Sequence, residues 1–294
     1  MKRNTHMDKI FDFSNIMLMV LAVIAVLIPL FSVISTSLVS AKEIAEKRFV
    51  IFPENVDYTA YKSLFASGSI ILNGYKITLF RVVVGTSVNL ILSYFVGYAL
   101  AKKDLVGRSA LTFFFFFTML FGGGLVPTYI IIKSVGLINR VWVYILPGVI
   151  SVWNMLLIRN FIMTIPDSLT EAANIDGASD YLIIFKIILP LSIPALVTIG
   201  LFYAVGHWNS WWDAYLYTSK PEVQPIQLVL RNILARANIQ VNAITGGITA
   251  TELKAPSRSI QSASVVVTTM PIVLLYPFLQ KYFIKGVMVG AVKG

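Results

Sequence analysis

Apolar residues in this 294-residue chain come in long blocks, not in the stripes of an amphipathic helix or the alternation of a half-buried strand. No charge occurs between Asp12 and Lys42, and residues 16–37 within that interval make one uncharged, predominantly apolar run. Similar blocks cover about 77–101, 110–132, 141–163, 187–216 and 264–283. Crossing a hydrocarbon layer roughly 30 Å thick takes about 20 helical residues, so each block is long enough to span a bilayer. The pattern predicts an all-α integral membrane protein with six transmembrane helices. The first block is too long for the apolar core of a cleaved secretion signal, which runs about 7–15 residues.

Details inside the blocks add local expectations. Arg81 lies near the start of the second block and is read as snorkelling to the interface. Gly122-Gly123-Gly124 in the third allows close helix contact or an unwound segment, of which close packing is preferred. Pro147 should kink the fourth, and the fifth exceeds the length needed to cross, so it tilts or projects. Six crossings place both termini on one side. Lys2, Arg3 and Lys9 before the first block, with Lys102, Lys103 and Arg108 after the second, favour a cytoplasmic location for those short segments.

Polar chemistry concentrates in two places. Residues 164–186 form an acidic connection with Asp167, Glu171, Asp176 and Asp180. Pro166 suits a first helical turn, and Ser168 with Glu171 has capping-box spacing, so a short helix should run to about Ile175. Gly177 should break it, and a second helix should cover Ala178–Lys186. Ala172 and Ala173 would give the first helix a low-profile face able to seat in a groove. A helix resting on an anionic leaflet would carry more Lys and Arg, so a docking elbow fits the acidic charge better. The second place is the aromatic run 202–217, which contains His207, Trp208, Asn209, Trp211, Trp212, Asp213 and Tyr215. Aromatic faces stack on sugar rings, and Asn209 and Asp213 would face a watery cavity. An interfacial aromatic belt is the competing account of the tryptophans. Asn154 and Arg159 are weaker candidates for the same path.

Composition sharpens this picture. Hydrophobic residues make up 57% and charged residues 13%, and the net charge is +10 without a single cysteine. Scattered basic residues suit lipid headgroups better than nucleic acid, and the lack of Cys removes disulfides and thiolate chemistry. There is no GxxxxGK[ST] phosphate loop, no HExxH and no GxSxG, which argues against an ATPase or an intramembrane hydrolase.

Glu171-Ala172-Ala173, then Gly177, Ile187 and Leu189-Pro190, stand at the spacing of the EAA loop. The chain therefore resembles permease subunits of bacterial ABC importers, and Asn174-Ile175-Asp176-Gly177-Ala178 resembles their carbohydrate branch. Phe121–Pro127, Gly206-His207-Trp208-Asn209 and the ending Lys285–Gly294 are similar to oligosaccharide permeases and to the second permease subunit of the maltose importer. The resemblance implies the type I ABC importer permease fold, with 1–15 as a cytoplasmic segment and 16–294 as the permease domain. It implies that Glu171, Ala172, Ala173, Asp176, Gly177, Leu189 and Pro190 belong to a cytoplasmic coupling helix and its joint. It also implies that an extended 284–294 tail, with Gly286, Gly290 and Gly294, enters an ATPase interface. Implied partners are a second homologous permease, an ABC ATPase dimer that binds ATP and Mg, an extracellular solute-binding protein, and an oligosaccharide. The 38–76 segment (Tyr58, Tyr61, Phe65) and the 218–263 loop would meet the binding protein. This chain itself would hold no cofactor, catalyse nothing and lie in the inner membrane. A permease for peptides or amino acids is the alternative.

Overall fold

The computed structural model describes residues 6–40, 43–44, 50, 52–245 and 258–291, and among these there is no strand. In chain order the helices are α1 His6–Ser37, α2 Thr59–Leu64, α3 Ile70–Ala101, α4 Arg108–Leu120, α5 Leu125–Ser134 and α6 Val152–Ile162. They continue as α7 Asp167–Ile175, α8 Asp180–Asn209, α9 Trp212–Tyr217, α10 Ile226–Thr245 and α11 Arg258–Ala291. Among the described residues, four helices are long and apolar enough to cross a membrane on their own, and up to six crossings result if each of two bent pairs counts as one. Helix is the form the chain must take there, because lipid offers no partner for backbone N–H and C=O groups.

Two compact units divide the chain. The first contains residues 1–69 and 230–270. Within it the end of α1 is tied to α2 by a bond between the Ser37 and Tyr61 hydroxyls, 2.7 Å. The second contains residues 70–229 and 271–294. One of its apolar cores is built from Tyr94 and Tyr98 of α3, Ile158 and Ile162 of α6, and Ile183, Ile188, Leu196, Ile199 and Tyr203 of α8.

Several expectations are corrected. The triple glycine is a break, not a packing face: α4 and α5 meet at 111°. A Cβ on Gly122 or Gly124 would meet none of the described residues of this chain, and Gly124 adopts φ +85° at the turn. The fourth crossing opens with two 3₁₀ turns, Val141–Tyr144 and Leu146–Gly148, and bends 51° before α6. The fifth ends at Asn209 and not at 216, because Ser210 is extended and α9 is a separate helix. The second begins at Ile70. The 218–263 segment contains the 20-residue helix α10, so it is not one long loop. The C-terminal segment is helical through Ala291, which places Gly286 and Gly290 in a helix instead of an extended tail; Gly294 lies outside the described residues.

Two π-helical stretches mark places where the regular ladder is disturbed. Ile183–Ile188 immediately precedes Leu189-Pro190. Pro190 cannot donate to the carbonyl four residues back and its ring crowds that carbonyl, and a wider turn absorbs both faults. The other stretch, Arg81–Gly85, carries the most buried charge of α3.

Candidate functional site: a helical elbow and a buried polar relay

The elbow begins at Pro166, whose φ of −59° and ψ of 129° make it the N-cap residue and not the first helical one. The Ser168–Glu171 capping box does not form, since α7 has no side-chain cap. Its C-terminus is well terminated. The Gly177 N–H donates to the Asn174 carbonyl (3.0 Å) and the Ala178 N–H to that of Ala173 (2.9 Å), the paired bonds of a Schellman motif. Gly177 sits at φ +77°, where a side chain would be strained. The chain then restarts at once. The Ser179 hydroxyl accepts the Leu182 N–H, and Asp180 begins α8, which runs without interruption to Asn209. The separate second helix expected over Ala178–Lys186 is therefore the first turns of the fifth crossing. A force applied to α7 passes through four residues, 176–179, into a long helix.

Two ion pairs brace this joint. Lys102 Nζ bonds Asp180 Oδ1 at 2.7 Å, and Lys103 Nζ bonds Asp167 Oδ2 at 2.5 Å. Both lysines follow directly on α3, so the two ends of the elbow are fastened to the end of one crossing helix. The bond to Asp180 raises the Lys102 pKa above its usual value, with burial opposing. From sequence these lysines mark only membrane sidedness, and their pairing with acids more than 60 residues away has no local signal. A cleft of about 420 Å³ lies under the elbow, bordered by Lys102, Lys103, Asp167, Glu171, Asn174 and Asp180.

The two alanines separate. Ala173 packs inward against the α3–α6–α8 core, while Ala172 is exposed. The outward face of α7 shows Leu169, Ala172 and Ile175, the last 86% exposed, with Glu171 and Asp176 beside them. Leu189 is half-buried and Pro190 exposed on α8.

Arg81 is the residue most misread from sequence. It stands 20 residues before Ala101, about 30 Å along the helix, which puts it near the opposite boundary of the crossing. It does not snorkel; it is 4% exposed and turned into the protein. Its guanidinium grips both carboxylate oxygens of Asp213, donates from Nε to His207 Nδ1 (3.2 Å) and from Nη1 to the Ser210 carbonyl (3.4 Å), and lies over the Tyr144 ring. Because His207 Nδ1 accepts, Nε2 carries the proton and donates to Asn89 Oδ1 at 2.8 Å. Asn89 in turn donates to the carbonyls of Gly148 (3.0 Å) and Val149 (2.7 Å), which the bend before α6 leaves without helical partners. Gly85 makes room for this: a Cβ there would sit 2.6 Å from His207 Nε2.

The relay runs from Asp213 through Arg81, His207 and Asn89 to a broken helix end. It joins α3, α8, α9 and the fourth crossing. Asp213 and His207 therefore hold the helices together; His207 is half-buried, and Asp213 keeps 24% of its side chain exposed. Asn154 and Trp208 are buried, Trp208 against Tyr75; Asn209 is exposed. Arg159 lies at the elbow end, bonded to the Leu100 carbonyl. Trp212 and Tyr215, each about half exposed, stack at 5.8 Å with Trp211 edge-on to both. They form an open aromatic platform.

Several membrane-crossing helices and an elbow fastened to two of them make this a multi-pass membrane component. Residues 1–289 match the family described as binding-protein-dependent transport system inner membrane component, and the chain belongs to that family. It is similar to the polygalacturonan/rhamnogalacturonan transport system permease protein YtcP of Bacillus subtilis, 41% identical over 94% of this chain and 96% of that one. It is also similar to the protein LplC of the same organism, 38% identical over 99% of this chain and 97% of that one. Among solved structures, a bacterial ABC transporter involved in import of the acidic polysaccharide alginate matches with TM-score 0.86. That match has 28% identity and covers 96% of this chain and all of that one. The fold is that of a type I ABC importer permease. The chain is the multi-pass membrane part of such a system, and ATP hydrolysis belongs to a separate subunit; an ATPase and a solute-binding protein are its working partners.

Proposed function

We propose that this chain is the permease of an importer for oligosaccharides released from acidic, uronic-acid-containing polysaccharides. The relative YtcP, named for polygalacturonan/rhamnogalacturonan, and the solved alginate importer support that class. In this reading a second homologous permease completes the pathway, both termini lie in the cytoplasm, and ATP and Mg bind only on the ATPase partner. The observation that carries the mechanism is the bracing of α7 by Lys102–Asp180 and Lys103–Asp167 together with its direct run into α8.

The exposed Leu169–Ala172–Ile175 face seats in a cleft of the ATPase, with Glu171 and Asp176 at its edge. Closure of the ATPase dimer pushes α7. The Schellman turn at Gly177 keeps the angle between α7 and α8, so the push moves α3 and α8 as one body. The C-terminal residues Gly286, Gly290 and Gly294 approach the same ATPase pair. At the other end, the Trp211–Trp212–Tyr215 platform offers ring faces to saccharide, and Asn209 offers a hydrogen-bonding amide.

The chain has no cysteine, so one introduced thiol reports a contact cleanly. In the reconstituted importer, Ile175→Cys should cross-link to a thiol in the ATPase cleft and respond to ATP. Uptake of oligogalacturonides should exceed that of neutral arabino-oligosaccharides and of peptides. No ATPase cross-link would refute the docking role, and preferred peptide uptake would refute the substrate class.

A further inference from the structure

A second cavity, about 530 Å³, opens between α4 and α6. Arg108 and Arg159 enter it from different helices, together with Ser109, Thr112 and Asn160, and Phe113, Phe116 and Leu156 make its apolar wall. Each arginine spends its Nε on the same atom, the Leu100 carbonyl, at 2.9 Å for Arg108 and 3.1 Å for Arg159. That carbonyl lies in the last turn of α3, where helix geometry leaves it without a partner. Capping explains one arginine there. A second cation on a single carbonyl gains little and meets the charge of the first.

Neither guanidinium has a carboxylate within ion-pair distance among the described residues; the remaining contact is Arg108 Nη2 with Met163 Sδ at 3.5 Å. The outer nitrogens of two half-buried forks are thus left facing a shared cavity. Thr112 borders the cavity, and its buried hydroxyl has no hydrogen-bond partner among the described residues. Half-buried paired cations beside an unmet hydroxyl call for a ligand that is anionic and accepts several hydrogen bonds at once. The phenylalanine wall, exposed on the lipid-crossing helix α4, calls for acyl chain next to that anion.

We propose that the Arg108–Arg159 cavity binds a phosphate oxyanion, supplied by the headgroup of an anionic phospholipid. The bound headgroup neutralises two cations at the base of α3, next to Lys102 and Lys103, and so steadies the attachment of the elbow. The site stands on its own geometry and does not depend on which solute is carried.

The test uses the assembled importer in nanodiscs of phosphatidylcholine with or without phosphatidylglycerol. Native mass spectrometry of the released complex should find phosphatidylglycerol retained by the wild type. Retention should fall about tenfold in Arg108→Gln/Arg159→Gln, the size expected for losing charge-assisted hydrogen bonds. Glutamine can still cap Leu100, and Thr112→Leu, which fills the cavity and spares both arginines, should also displace the lipid. Inorganic phosphate, added to complex in phosphatidylcholine alone, distinguishes the source. Arginine-dependent thermal stabilisation by phosphate without preferential lipid retention would keep the anion site but overturn the lipid as its occupant. Equal phosphatidylglycerol retention by wild type and both variants, with no phosphate effect, would overturn the site.

Discussion

Removing either partner of the Arg81–Asp213 pair should be far more damaging than removing both. In Arg81→Met the Asp213 carboxylate keeps the Ser210 hydroxyl (3.0 Å) and the Ala214 N–H (2.8 Å), but loses its counter-ion. Its side chain is 24% exposed, so water offsets part of the loss. Breaking a buried pair costs about 3–5 kcal/mol, and the lower end, about 3 kcal/mol, applies here. In Asp213→Leu the stranded group is the 4%-exposed guanidinium, with only His207 and a backbone carbonyl left to it. The upper end, about 5 kcal/mol, then applies. The double variant has no stranded charge. It loses the hydrogen bonds to His207, Ser210 and Ala214, about 2–3 kcal/mol in total. A double-mutant cycle on chemical unfolding of the detergent-purified permease should therefore return a coupling of several kcal/mol, more than a hundredfold in the unfolding equilibrium. Single-variant losses below about 1 kcal/mol, or losses that simply add, would refute the buried-pair argument and return Arg81 to the interface.

The remaining predictions concern coupling and substrate. Gly177→Ala strains a left-handed position by about 1–2 kcal/mol, and Gly177→Pro also removes the N–H that caps Asn174; transport should fall in that order while membrane insertion, followed by protease protection, is unchanged. Glu171→Lys should lower ATPase co-purification and uptake together, and normal uptake would remove Glu171 from the docking edge. Lys102→Gln/Lys103→Gln should uncouple ATP hydrolysis from transport with little loss of fold stability, since these pairs are largely exposed and each worth at most about 1 kcal/mol. Because the Lys102 pKa is raised, its pair contributes fully below the ordinary lysine pKa and is lost only as pH rises past it; coupling should be insensitive to Lys102 through neutral and mildly alkaline pH. Trp212→Ala should raise the KM for oligosaccharide, and unchanged kinetics would assign the platform to the membrane boundary.

How much of this was legible along the chain follows from the range of each interaction. Lipid imposes a local rule, since every crossing backbone group must be satisfied within its own helix, and so the apolar blocks and the elbow between the fourth and fifth could be read directly. The EAA spacing likewise carries its meaning in 20 consecutive residues. The positive φ of Gly177 is local in the same way. Arg81 was misplaced because its partners are 126 and 132 residues away, and an arginine at interface depth looks the same whether it turns to lipid or to an aspartate. The same holds for Lys102 with Asp180 and for two arginines meeting on Leu100. Hydropathy tells which residues leave water, but only the packing of α3, α6 and α8 brings distant charges within bonding distance and decides which of them are neutralised.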